Sequence, residues 1–137
     1  MNSEDLKKRF KKFAIDVALL IKELPKNTIN TAYSNQLIRS SSSPGANYRA
    51  ACRARSTADF INKLKIVEEE LYESVYFLEL LQYFNPIFNE RFNILIKEGN
   101  ELLAITVSSL KTSREKIVNR KSSLFFKKQL SNYKNQN

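Results

Sequence analysis

Residues 56–81 read STADFINKLKIVEEELYESVYFLELL. Phe60, Leu64, Val67, Leu71, Val75, Leu78 and Leu81 recur at steps of three or four, which holds one apolar stripe on one side of an α-helix. Ser56 followed by Asp59 resembles a capping box, with the shorter acid in place of Glu or Gln. Tyr72, Tyr76, Phe77 and Leu80 widen the apolar face beyond one partner, so this helix meets two neighbours or a neighbouring subunit.

The same spacing extends on both sides. Upstream, Leu6, Phe10, Phe13, Val17, Leu20 and Leu24 alternate steps of four and three, predicting a helix over 4–24. Asn2 or Ser3 can cap it, and Pro25 stops it. Downstream, Asn85-Pro86 reads as the N-cap and first residue of a last helix. Its face comprises Phe88, Phe92, Leu95, Leu102 or Leu103, Val107 and Leu110, and Gly99 falls on that face, where a bare backbone admits a close neighbour. A second helix is predicted over 31–55, with Leu37, Ser41, Pro44, Tyr48 and Ala51 on one stripe. Its small residues suit tight packing. Pro44 removes a backbone donor and crowds the carbonyl of Ser40, so a kink, or a break into two helices, is expected there.

These four segments predict an all-α, up-down antiparallel four-helix bundle over 1–118, followed by a basic, flexible tail over 119–137. With two glycines and three prolines in 137 residues, the chain lacks the turn material of a sandwich or barrel. No apolar run approaches the length of a membrane span, and the N-terminal residues show no apolar signal core. A single cysteine, Cys52, agrees with a reducing compartment, so a cytoplasmic protein is expected.

No cofactor or metal is expected. There is no histidine, which removes zinc sites and histidine-based acid–base catalysis. It also leaves Glu68, Glu69, Glu70, Glu73 and Glu79 without the Glu-x-x-His partners of a diiron bundle, so they read as a charged helix face. Serine nucleophiles lack a base, and a non-enzymatic protein is expected.

The net charge of +9 is uneven. Residues 1–110 carry 15 Lys and Arg against 13 acids, whereas residues 111–137 carry 8 against Glu115 alone. Such asymmetry points to a polyanion or an anionic surface. Within the body, Arg39, Arg49, Arg53, Arg55 and Lys63 crowd around the helix 2–helix 3 region. Arg49 and Arg53 stand four apart, where like charges repel, so something negative belongs beside them. Two readings stand. Acids of the third helix, Glu70 and Glu73 among them, pair with the arginines within a subunit or across an interface. Alternatively, Arg49, Arg53, Arg55 and Lys63 grip nucleic-acid phosphates. Ser40, Ser43 and Asn47 share a face and suit hydrogen bonds across a close helix contact. In the tail, helix is expected to continue to about Arg120. Beyond it, Arg120, Lys121, Lys127 and Lys128 interleave with Leu124, Phe125, Phe126, Leu130 and Tyr133. That mixture suits single-stranded nucleic acid, an anionic membrane surface, or a disordered tail with a small apolar anchor.

Residues 36–81 also carry a resemblance. Arg39 to Ala51 fit R-S-x-x-S-x-x-A-N-Y-x-x-A, and Arg53 to Phe60 fit R-A-x-S-x-x-D-F. Lys63 to Glu70 fit K-L-x-I-V-E-E-E, and Glu73 to Leu81 fit E-x-x-Y-x-L-E-L-L. In these runs the chain resembles the four helix bundle proteins of the 23S rRNA intervening-sequence family. The resemblance implies an up-down bundle that assembles into a ring, commonly a pentamer. Some members are encoded within insertions in 23S ribosomal RNA genes, and a related group serves diversity-generating retroelements and contacts nucleic acid. Pro44 and Lys65 depart from the family pattern, and the basic tail lies outside the matching run. The function expected is therefore an oligomeric bundle that binds RNA or DNA through basic residues, with a structural or protein-interaction scaffold as the alternative.

Overall fold

The computed structural model describes residues 1–136; Asn137, the last residue of the predicted tail, lies outside them. Four α-helices follow one another: α1 (Ser3–Glu23), α2 (Thr28–Cys52), α3 (Thr57–Phe84) and α4 (Asn89–Gln136). A single 3-10 turn, Pro86–Phe88, precedes α4, and no strand occurs among the described residues. Each helix packs on the next, and α1 packs on α4 to close the bundle. Arg9 reaches Glu98 and Glu101, while Arg91 meets Glu23, so α1 and α4 run antiparallel. Asn30 meets Asn85 and Ser40 meets Ser74, which sets α2 against α3 in the same sense.

Local chemistry explains each boundary. Asn2 caps α1 by accepting the Asp5 N–H at 2.9 Å, and the Asp5 side chain accepts the Asn2 N–H in return. Asn27 caps α2, so that helix begins and ends three residues before the predicted 31–55. Arg53 becomes its C-cap, and Arg55 falls in the connection rather than on a helix. Pro44 does not break α2: the helix runs through it, with the ring buried in the stripe that also holds Leu37, Ser41, Tyr48 and Ala51. Ser56 accepts the Asp59 N–H and opens α3.

Three expectations about the core are corrected. Ile61 and Ser74 are buried on α3, whereas Phe60 and Val75 are only half-buried. The deep seam of a helix wedged between α2 and α4 lies slightly to one side of its most apolar stripe, and Ser74 is hidden from any reading by hydrophobicity. On α4, Thr106 is buried and Val107 exposed; the Thr106 hydroxyl donates to the Leu102 carbonyl at 2.8 Å, so its polarity is met within the helix. Asn85 does not cap α4. Its amide is spent on Leu81 and Asn30 instead, and Pro86 opens the 3-10 turn.

Close helix approaches are carried by the two glycines. A Cβ at Gly99 would come within 3.0 Å of a Val75 methyl and 3.4 Å of the Phe13 ring. A Cβ at Gly45 would lie 3.3 Å from the Cβ of Phe10. Phe10, Phe13, Val17, Leu64, Leu71, Leu78, Phe92 and Leu102 fill the centre with almost no exposure. No helix among the described residues is long and apolar enough to cross a membrane.

Candidate nucleic-acid interface

The antiparallel arrangement delivers several basic segments to one end of the bundle. The C-terminal end of α2 with Arg49 and Arg53, the connection with Arg55, the first turns of α3 with Lys63, and the stretch of α4 that follows Ser113 all arrive there. Ser113 is the last buried residue of α4 and Ile117 the last half-buried one; from Val118 to Gln136 every residue is exposed. The helix nonetheless continues to Gln136 and does not end near Arg120. No glycine or proline follows Gly99 to stop it. From Arg114 to Gln136 it spans roughly 34 Å at 1.5 Å per residue.

Helical form changes the meaning of the tail sequence. Lys116, Arg120, Lys127 and Lys134 fall on one stripe, and Arg114, Lys121 and Lys128 on a second. The two stripes flank Ile117 and Leu124, and Phe125 stands beside the second, whereas Phe126, Leu130 and Tyr133 fall on the opposite side. Phe126 and Tyr133 face away from the lysines while Phe125 lies beside them, so the helix offers a row of cations for a phosphate backbone and one ring for stacking.

The body residues separate into two groups. Arg39 is spent inside the chain: its guanidinium makes paired bonds to Glu70 at 3.1 and 3.0 Å and to Glu73 at 2.7 and 2.8 Å. The Glu73 bond and the charge of Glu70 hold the Arg39 guanidinium above its usual range. Burial pushes the Glu70 carboxyl up despite the guanidinium opposite. Ser40 accepts a 3.1 Å bond from the Ser74 hydroxyl across the α2–α3 contact, as expected for a polar helix interface. Ser43 and Asn47 bond to each other along α2 and not across it, with the Asn47 amide 2.9 Å from the Ser43 hydroxyl.

Arg49, Arg53, Arg55 and Lys63 form no ion pair among the described residues, and neither do Lys116, Arg120, Lys121, Lys127 and Lys128. The charge of Arg49 helps to lower the Glu4 carboxyl, but Glu4 is bonded to Lys7 at 2.8 Å, and that bond is the larger cause. Glu70 and Glu73 of α3 therefore answer Arg39 and leave Arg49, Arg53 and Arg55 without an ion pair among the described residues. Arg55 and Lys116 line a common recess of about 350 Å³. Its other hydroxyl residues, Ser56, Thr57 and Ser113, were not singled out from the sequence as ligands. Ser113 continues the buried Thr106–Leu110 face of α4, and that step of three was the only signal for it.

Residues 4–108 match the family described as 23S rRNA-intervening sequence protein. The chain belongs to that family. A crystal structure of a protein of unknown function from the S23 ribosomal protein family of Bacteroides thetaiotaomicron is similar, at 34% identity and a TM-score of 0.69. The similarity covers 77% of this chain and 98% of that one, so the Bacteroides protein has no counterpart for nearly a quarter of the present family member. The family match ends before the basic part of α4 begins. No curated protein matches.

Proposed function

We propose that this family member is a non-enzymatic, self-associating cytoplasmic bundle that binds the backbone of RNA or DNA through the basic end described above. The observation that carries the reading is the shared recess of Arg55 and Lys116, which joins one unpaired arginine of the body to a basic stripe of α4. Cations without carboxylate partners, gathered on one surface, exchange condensed counterions for phosphate contacts. Self-association is supported by the outer face of α3, where Tyr72 is 71% and Tyr83 80% exposed, with Tyr76 and Phe84 also open. A ring of copies, pentameric on the family pattern, would multiply weak contacts into avidity. The same aromatic face favours the alternative of a protein-interaction scaffold with no nucleic-acid role.

The test is a salt titration of binding to fluorescent single-stranded and duplex RNA and DNA. The full chain is compared with a full-length variant carrying Gln at Arg120, Lys121, Lys127 and Lys128. Binding should weaken steeply with salt, and the variant should lose roughly 3 to 4 from the log–log slope on duplex DNA if all four contact phosphate. No binding at physiological salt would reject the nucleic-acid reading and leave the scaffold, whereas a slope indifferent to the substitutions would take the contact off α4 and leave it to Arg49, Arg53 and Arg55.

A further inference from the structure

The recess between the α2–α3 connection and α4 has the make-up of an anion site in its own right. Cys52, Arg55, Ser56, Thr57, Ser113 and Lys116 provide its chemistry, and no carboxylate lines it. Arg55 and Lys116 are the only charged groups on its wall, and neither is in an ion pair among the described residues. α3 begins at its edge. The Asp59 and Phe60 N–H groups are taken by Ser56, whereas those of Thr57 and Ala58 have no hydrogen-bond partner among the described residues.

A second observation is independent of the helix end. Ser113 is only 7% exposed, yet its hydroxyl makes no hydrogen bond among the described residues. No fully buried side-chain nitrogen or oxygen in them lacks a partner. The Ser113 hydroxyl must therefore reach solvent, and the recess is the opening that it lines. A nearly buried hydroxyl turned to a cavity walled by two cations is an unfilled donor.

We propose that this recess binds a phosphate group, held between the Arg55 guanidinium, the Lys116 ammonium, the Ser113 hydroxyl and the free N–H groups that open α3. A guanidinium fork suits paired phosphate oxygens, and an ammonium adds a point charge. At about 350 Å³ the recess exceeds a bare phosphate and admits part of an attached organic group. The Asp59 carboxylate lies on the first turn of α3 but does not line the wall. The proposal shares the Arg55–Lys116 recess with the nucleic-acid reading and adds the Ser113 hydroxyl and the open N–H groups of α3, which that reading does not use.

Cys52 supplies the test, because it is the sole cysteine, is exposed and lines the recess. Inorganic phosphate is titrated into the full chain at constant ionic strength, with KCl as the balancing salt. Alkylation of Cys52 by iodoacetamide and the backbone amide shifts of Thr57, Ala58 and Ser113 are both followed. A saturable change in either signal, with a midpoint raised roughly tenfold or more by Arg55→Gln or Lys116→Gln, is the result expected. No saturable change in both signals, or a midpoint that neither substitution moves, overturns the site. Adenosine monophosphate and oligonucleotides with and without a 5′-phosphate then identify the source. Competition by the phosphorylated strand alone assigns a terminal phosphate, and equal competition by both strands assigns an internal one. Competition by the mononucleotide alone assigns a small ligand. Strand binding with no response to inorganic phosphate rejects the recess and spares the nucleic-acid reading; the reverse pattern rejects that reading and spares the recess.

Discussion

Asn30 and Asn85 exchange two side-chain hydrogen bonds, of 3.0 and 2.8 Å, between the first turn of α2 and the C-cap of α3. Both are nearly sealed, at 3% and 5% exposure. Each also reaches a carbonyl at 2.8 Å, Asn30 that of Pro25 and Asn85 that of Leu81. One amide pair thus fastens the α1–α2 connection to the end of α3. Asn85→Ala leaves the Asn30 amide short of a partner in a dry site and should cost about 3 kcal/mol in denaturant unfolding. The double variant Asn30→Leu with Asn85→Leu should lose less than the sum of its single variants. Simple additivity would mean that the two amides do not act as a unit.

Gly99 should not tolerate a methyl group. The 3.0 Å approach to Val75 is to a β-branched side chain with little rotamer freedom, and the Phe13 ring closes the other side. Overpacking of this kind costs about 1–3 kcal/mol, against about 1 kcal/mol that alanine gains from helix propensity. Gly99→Ala should therefore unfold at lower denaturant concentration than the parent, by roughly 1 kcal/mol. An increase in stability would show that Val75 moves aside freely.

Tyr48 sets a limit on the alkaline side. Burial, with the Cys52 thiol beside it, pushes the phenol from its ordinary 10.0 up to about 12. The folded chain keeps this proton where the unfolded chain has lost it. The contribution is full below the unfolded value of 10.0 and is lost as pH rises through about 12. Unfolding midpoints measured across that window should fall, and Tyr48→Phe should flatten the fall. A parallel decline in both proteins would assign the loss to other groups.

The outer face of α3 should control association. Charged residues at Tyr76 and Tyr83, both exposed, touch none of the deep core, so the fold should survive with an unchanged circular dichroism spectrum. In sedimentation, Tyr76→Glu with Tyr83→Glu should shift the particle toward monomer mass. Unchanged mass would place the contact between copies on another face.

The helices could be read from spacing because each buries one stripe of large apolar residues, and Leu64, Val67, Leu71, Leu78 and Leu81 lie where period and hydrophobicity agree. Polar core positions escaped that reading for the same reason. Ser74, Thr106, Asn30 and Asn85 satisfy their polarity through bonds that exist only once the chain is folded. Of the candidate site, the identities of the basic residues were legible and their grouping was not. Arg39 looks like Arg49 in sequence, and only the register of α2 against α3 decides that Arg39 receives both carboxylates. The α4 extension misled because its aromatics and lysines alternate along the chain, whereas the helix leaves Phe125 beside the lysines and turns Phe126 and Tyr133 away from them.

The single backbone of α4 has a mechanical corollary. No glycine or proline interrupts it after Gly99, so Leu102 and Leu110 in the core and Arg120 and Lys128 in solvent belong to one stiff rod. Tension or torque applied to the outer half has no hinge at which to dissipate. It passes to the side chains wedged against α3 and α1, and whatever seizes the rod also pulls on the bundle.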